Sequence, residues 1–216
     1  MARTYAVPGS MRLEFEAKGL SRRIKYEALP NLIWRHDGNS YEARTEVSAF
    51  LLGSRVFSSR GHISADGLVP DRFSDKFRSE RAAHFERDKG LITFSANSPS
   101  ATLLPGAQDR LSVFIQLASI VGGDPLHFGP GATISIQTVG PTSADTWEFT
   151  VEGEEKQYLP GGTLDTIKLT RNPRKPFDQK VEIWLAPQLS YMPARMRITD
   201  ANGDFLDQQW KSTQAP

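Results

Sequence analysis

The chain has 216 residues, 38% of them hydrophobic and 12 of them Phe, enough for one sizeable core without covalent staples. Lys plus Arg number 26 against 25 Asp plus Glu, so the chain lacks the basic excess of an obligate nucleic-acid binder. The absence of Cys excludes disulfides, thiolate catalysis and Cys-based zinc sites, and no apolar run approaches the ~18 residues that span a bilayer.

Period-two alternation dominates the first half. Leu13, Phe15 and Ala17 alternate with Arg12, Glu14, Glu16 and Lys18, the pattern of a half-buried strand that Gly19 breaks. Ile24, Tyr26 and Ala28 repeat it, and Leu32 to Arg35 is a short third strand. After the turn signal Asp37-Gly38-Asn39, alternation runs from Tyr41 to Ala49. Ala49-Phe50-Leu51-Leu52 is apolar on both faces, which reads as a doubly buried strand beneath a helix or as the rim of an apolar ligand site. Arg55 to Ile63 alternates less cleanly. Phe73 and Phe77 sit at helical spacing within Val69 to Arg78, too short a stretch to settle between helix and strand. Ala82 to Glu86 and Leu91 to Ser95 flank Asp88-Lys89-Gly90 as a hairpin, and Asn97 to Gly106 is a proline-containing connecting loop.

Gln108 to Val121 is the one strong helix. Leu111, Phe114, Ile115 and Ala118 follow the i, i+3, i+4, i+7 rule. Val113, Leu117, Ile120 and Val121 are apolar too, which leaves Ser112, Gln116 and Ser119 as a narrow polar stripe. Such a helix is buried on several sides, and the spacing predicts that it lies in the concave face of a bent sheet. Gln108-Asp109 at its start reads as a carboxylate facing the positive end of the dipole and an amide for a free N–H. Gly122-Gly123-Asp124-Pro125 ends it. Strands resume at Thr133–Val139, Trp147–Val151, Glu155–Leu159, Leu164–Arg171 and Val181–Leu185, and close with a hairpin of Arg195–Thr199 and Phe205–Trp210. With no linker or repeat, the chain reads as a single β-rich domain, ordered from about Tyr5 to Trp210. The expected fold is mainly β: a strongly bent, half-barrel-like antiparallel sheet with one buried helix in its concavity.

Charge is uneven locally. Lys168 to Lys180 holds five basic residues and one acid, and Asp145 to Asp165 holds six acids and one Lys, a solvated loop beside a solvated hairpin. His36, His62, His84 and His127 make no close pair and no HExxH, and there is no G-x-S-x-G elbow, P-loop or dinucleotide fingerprint. The acids Asp66 with Asp71, and Glu86 with Asp88, fall in turns. Trp34, Trp147, Trp184 and Trp210 fall on or beside strands and read as packing residues. No catalytic residue, metal or cofactor is therefore expected.

Three stretches in order carry a family likeness: Gly61-His62-Ile63-Ser64-Ala65-Asp66-Gly67-Leu68-Val69-Pro70, then Leu104-Pro105-Gly106-Ala107-Gln108-Asp109-Arg110-Leu111-Ser112, then Glu182-Ile183-Trp184-Leu185-Ala186-Pro187 with Tyr191-Met192-Pro193-Ala194-Arg195. Their order and spacing resemble the bacterial exported-protein family known as domain of unknown function 3108. The resemblance runs from about Tyr5 to Trp210. It implies a periplasmic or cell-envelope protein of Gram-negative bacteria made with an N-terminal export or anchor segment; none is read in Met1-Ala2-Arg3. It implies no reaction and no functional residues.

The leading functional expectation is a non-enzymatic envelope protein that holds an apolar ligand, such as a lipid acyl chain, between sheet and helix. Phe50, Leu51, Leu52 and Phe57 would line that site from the sheet, and Leu111, Phe114 and Ala118 from the helix. The alternative is a structural or interaction module with a packed concavity and another envelope protein as partner. A hydrolase built on dispersed carboxylates ranks last. A free apolar tunnel favours the first reading, a solid core with an exposed apolar edge the second, and converging buried acids the third.

Overall fold

The computed structural model describes residues 3–50 and 52–216. The first half is a run of strands: β1 (Met11–Ser21), β2 (Ile24–Ala28), β3 (Asn31–His36), β4 (Ser40–Ala49), β5 (Gly53–Ser64), β6 (Gly67–Lys76), β7 (Glu80–Glu86), β8 (Leu91–Phe94) and β9 (Ala101–Thr102). A two-residue strand, β10 (Gln108–Asp109), leads into α1 (Ser112–Gly123). The second half is β11 (Thr133–Val139), β12 (Ala144–Leu159), β13 (Gly162–Arg171), β14 (Lys180–Leu185), β15 (Pro193–Thr199) and β16 (Phe205–Gln214).

All sixteen strands form one sheet in the order β10-β11-β12-β13-β14-β15-β16-β1-β3-β4-β5-β6-β7-β8-β9, with β2 beside β1. Every ladder is antiparallel except β10 with β11. Alternation explains the faces: in β1, Leu13, Phe15 and Ala17 are buried, while the charged residues between them are not. The separation of β2 from β3 falls at Leu29-Pro30, where proline has no N–H for a ladder, yet the Pro30 carbonyl still accepts from Phe15 N at 2.9 Å.

The two ends of the sheet, β9 and β10, are only five residues apart in sequence, so the sheet curls back on itself. Among the described residues no backbone ladder closes it. Instead the Gln137 amide of β11 reaches across the seam: its Nε2 donates to Thr102 O at 2.8 Å, and its Oε1 accepts from Leu104 N at 2.9 Å. The result is an almost closed half-barrel.

The helix lies inside it. All ten residues from Ser112 to Val121 are buried. Leu111, Ile115 and Ala118 face one half of the curled sheet and pack with Phe15, Trp34 and Phe73. Val113, Leu117 and Ile120 face the other half and pack with Phe149, Leu169 and Ile183. A helix enclosed by both arms of one sheet has to be apolar nearly all round.

The helix starts later than its periodicity implies. Gln108 and Asp109 pair with Thr138 and Val139 as a parallel bridge, and Asp109 Oδ1 accepts from Leu111 N at 2.9 Å and Ser112 N at 2.7 Å. Asp109 therefore caps the helix from outside it, taking donors that have no intrahelical partner. Gln108 satisfies no helix N–H; its Nε2 donates to Leu68 O at 2.7 Å. The polar stripe is used as well. Gln116 Oε1 accepts from Leu68 N and its Nε2 donates to Asp66 O, both at 2.9 Å, which ties the helix to the β5–β6 turn.

Three local expectations are corrected. The ambiguous Val69–Arg78 stretch is mostly strand, because Phe73 joins a ladder with Ser59 and Ala83. The loop Asn97–Gly106 contains the seam strand β9. The run Ala49 to Leu52 is not a doubly buried strand: β4 ends at Ala49, and Phe50 lies in the β4–β5 turn, 87% exposed.

Gly67 makes the tie to Gln116 possible. Its φ is +84°, and a Cβ there would lie 2.2 Å from Gln116 Oε1. Gly67→Ala should destabilise the protein by about 2 kcal/mol, from the left-handed backbone and from displacement of a buried hydrogen-bonded amide. Urea denaturation measures it; a midpoint unchanged from wild type would show that the Gln116 tie contributes nothing.

Candidate functional site

The helix does not fill the half-barrel along its whole length. Beyond its N-terminal end, strands continue on both sides and enclose a cavity of ≈ 390 Å³. One wall comes from Tyr26 of β2, Thr45 and Val47 of β4, and Phe57 of β5. The facing wall comes from Met196 and Ile198 of β15 and Phe205 and Leu206 of β16. Leu111, Phe114 and Trp147 form the floor. Alternation aims these side chains: Met196 and Ile198 point inward while their neighbours Arg195 and Arg197 bind Asp207, with Arg195 in a bidentate pair at 3.0 and 2.7 Å.

Of the residues expected to line a ligand site, Leu52, Phe57, Leu111 and Phe114 meet in this cavity. Phe50 does not; it projects from the turn into solvent. Ala118 does not either; it is fully enclosed in the core, about one turn along the helix from Phe114. Leu51 lies outside the described residues. The site is thus at the end of the helix and not along its side, because the sheet closes on the helix from Ile115 to Val121.

A second, more open cavity of ≈ 440 Å³ adjoins the first. Half of its lining residues are charged, Asp145, Lys175 and Asp178 among them, and it shares Arg110, Trp147, Gln179 and Asp200 with the apolar cavity. The acidic and basic segments noted in the sequence meet around it: Arg174 pairs with Glu148 at 2.6 Å and Lys175 with Asp145 at 3.3 Å. These pairs are solvent-exposed and contribute little stability.

Most charged groups near the apolar cavity have a partner, although Asp200 and Asp204 are hydrogen-bonded and, among the described residues, not ion-paired. Arg55 forms a bidentate pair with buried Asp75 at 2.9 and 2.6 Å. Asp204 accepts from the backbone N of Arg22, and Asp200 accepts from Gln179 Nε2. Arg110 differs. Among the described residues its side chain has no hydrogen bond and no ion pair, and its Nε is buried without a partner. Burial pulls its pKa down, but the guanidinium stays charged.

Beside it, Asp109 is fully buried in a network under the cavity floor. Ser59 Oγ donates to Asp109 Oδ2 at 2.5 Å, which leaves Tyr41 Oη as donor to Ser59 at 2.9 Å. Burial pushes the Asp109 carboxyl up to about 6, against the lowering effect of its hydrogen-bond donors. Burial also raises Tyr41 well above the usual phenol value. This is one acid held by hydroxyls and amides. Among the described residues Asp109 makes no hydrogen bond to a second carboxylate or to a histidine.

Sequence reasoning missed the β15–β16 wall and Arg110. The alternation Arg195, Met196, Arg197, Ile198 was visible, but which distant strands those side chains would face was not. Arg110 stands between an acid and a leucine, and nothing in that local sequence signals the lack of a counterion.

The fold and cavity define a class: an open, β-barrel-like protein with one internal helix and an apolar pocket at the start of that helix. Within that class, the chain belongs to the family of proteins of unknown function DUF3108, whose model matches residues 33–207. No curated protein matches it. A β-barrel-like protein of domain of unknown function DUF1849 from Brucella abortus is similar in structure, with a TM-score of 0.59 at 12% identity over 98% of this chain and 100% of that one. A putative outer membrane lipoprotein-sorting protein domain from Vibrio parahaemolyticus aligns at a TM-score of only 0.30 and 9% identity, over 95% of this chain and 85% of that one. The first shares the fold; likeness at the level of the second carries no argument.

Proposed function

We propose that this protein is a non-enzymatic binder of one apolar chain, such as a lipid acyl chain, and that it works in the bacterial cell envelope. The observation that supports this reading is the apolar cavity of ≈ 390 Å³ left between β2–β5 and β15–β16 where the helix begins. It falls in the size range of small-molecule sites, and apolar side chains dominate its walls. The envelope assignment rests on the exported character implied by the family likeness.

The magnitude is modest. A methylene occupies roughly the ~30 Å³ of a liquid water, so the cavity takes on the order of ten. At ~0.8 kcal/mol each, the gross driving force is ~8 kcal/mol, opposed by association costs of ~4–15 kcal/mol. Affinity should be micromolar or weaker, and it should be lost by filling the space.

Ala49 lines the mouth and Val47 the wall. Ala49→Trp or Val47→Phe should reduce uptake of a fluorescent fatty acid at least tenfold while the melting temperature stays near that of wild type. No uptake by the wild type would overturn the proposal and leave the interaction-module reading in front.

A further inference from the structure

Arg110 stands where the apolar and the charged cavities meet, and it lines both. Its guanidinium lies against Gly140, where a Cβ would sit 2.8 Å from Nε and 2.9 Å from Cζ. The wall is therefore shaped so that this side chain can lie flat along it. A charged group held in a partly buried wall with no counterion is a cost to the fold, since unpaired charge removed from water is unfavourable. Asp145 and Asp75 favour its charge through space, but neither touches it: Asp145 is paired with Lys175, Asp178 with Arg171 and Asp75 with Arg55. Asp200 and Asp204 also line the pocket; they are hydrogen-bonded to Gln179 and to the Arg22 backbone and, among the described residues, make no ion pair.

We propose that Arg110 is the head-group site of the apolar pocket, and that the ligand is a single-chain anionic amphiphile whose carboxylate lies against the Arg110 guanidinium while its chain fills the apolar cavity. This rests on the apolar-chain reading above and narrows it to the fatty-acid class. Two features of the geometry support the match. The guanidinium is a planar fork of donors suited to a carboxylate. It also lies at the boundary of the two cavities, so a chain of matching length places its head at Arg110 without burying the carboxylate in apolar surroundings.

The test is displacement of an apolar dye from the full chain by dodecanoate and by dodecanol at pH 8. A charge-assisted hydrogen bond is worth about 1.5–3 kcal/mol, which is roughly ten- to hundredfold in affinity. Wild type should therefore prefer dodecanoate over dodecanol by at least about tenfold. Arg110→Met should erase that preference, so that dodecanoate and dodecanol displace the dye equally. It should also raise the ligand-free melting temperature by about 2–4 °C, because an unpaired charge is replaced by an apolar side chain. Inorganic phosphate at millimolar concentration should not displace the dye, which separates an amphiphile from a free anion.

Equal displacement by the acid and the alcohol in wild type would overturn the Arg110 assignment and leave the apolar-chain reading standing. So would an unchanged preference in Arg110→Met. Displacement by neither would overturn both. The wild-type comparison needs no variant, and so it decides the matter even where Arg110→Met folds poorly.

Discussion

Ile115→Asp and Leu117→Asp should each abolish cooperative folding at pH 7, although their side chains point to opposite sides of the helix. Residues two apart in a helix do not share a face. On a helix laid over an ordinary sheet, one of the two substitutions would fall on a solvated side and cost little. Here both wild-type side chains are fully buried, Ile115 against the arm that includes Phe15 and Phe73 and Leu117 against the arm that includes Phe149 and Ile183. An aspartate at either place must stay ionised in an apolar site or take up a proton. Neutralising a carboxyl of normal pKa ~3.9 at pH 7 costs about 4 kcal/mol at 1.36 kcal/mol per unit. The neutral acid then still lacks a partner, and the lost side-chain volume adds about 2–5 kcal/mol. The sum is comparable with the whole stability of a typical domain, about 5–15 kcal/mol. Circular dichroism during heating measures it. Ile115→Val is the control, with a cost of only about 1 kcal/mol. If either Asp variant melts cooperatively near the wild-type temperature, that side of the helix is not enclosed.

That enclosure was legible in the residues themselves. A helix with Leu111, Ile115 and Ala118 on one side and Val113, Leu117 and Ile120 on the other has no solvated face to offer, and the alternation of the flanking strands supplied the sheet to surround it. The meander from β1 to β5 and the β7–β8 hairpin were legible for the same local reasons, since hairpin turns and period two are written over short distances; β6 was not, because Phe73 and Phe77 sit at helical spacing. Closure was not. The seam depends on Gln137 meeting Thr102 and Leu104, a contact across more than thirty residues that no periodicity encodes. The helix start was misplaced because apolar periodicity extends back to Leu111, whereas the Asp109 side chain and the bridge to β11 decide where the first turn begins.

The candidate site divided in the same way. Leu111 and Phe114 could be found from the helical pattern, and Phe57 from its strand, but the pattern could not say how far along the helix the sheet stays closed. Ala118 falls on the same apolar helical stripe as Leu111 and Phe114, which points it to the pocket, yet the sheet packs against it without a gap. Phe50 was read as buried because it is large and apolar, yet the β4–β5 turn falls on it and leaves it outside.

Wild-type stability should contain a component of about 3 kcal/mol that is present below pH 4, is lost as pH rises to about 6 and is flat above that. Asp109→Asn should lack it. The cause is the carboxyl under the cavity floor, pushed by burial up to about 6 in the folded state, against about 3.9 in the unfolded chain. Between those two values the folded state binds more protons than the unfolded one, so stability falls as pH rises. A shift of about two units corresponds to about 3 kcal/mol. Asn keeps the cap, since its Oδ1 can accept from Leu111 N and Ser112 N as Asp109 does, and its Nδ2 can donate to Ser59 Oγ in place of the present bond. Other carboxylates act in the opposite direction. Asp37, Glu46, Glu80 and Asp178 are held below their ordinary range by hydrogen bonds or by arginines, so their contributions are gained as pH rises from acid. Total stability therefore need not fall between pH 4 and 6, and the informative quantity is the difference between wild type and Asp109→Asn. Urea unfolding of both proteins at pH 4, 5, 6, 7 and 8 yields it. The variant should gain on wild type from pH 4 to about 6 and keep a constant advantage above. A difference independent of pH would show that the hydrogen bonds from Ser59, Ser112 and the two backbone N–H groups offset the cost of burial, so that Asp109 titrates in the folded state as it does unfolded. The helix cap beneath the pocket would then be a carboxylate from about pH 5 upward, next to the unpaired Arg110.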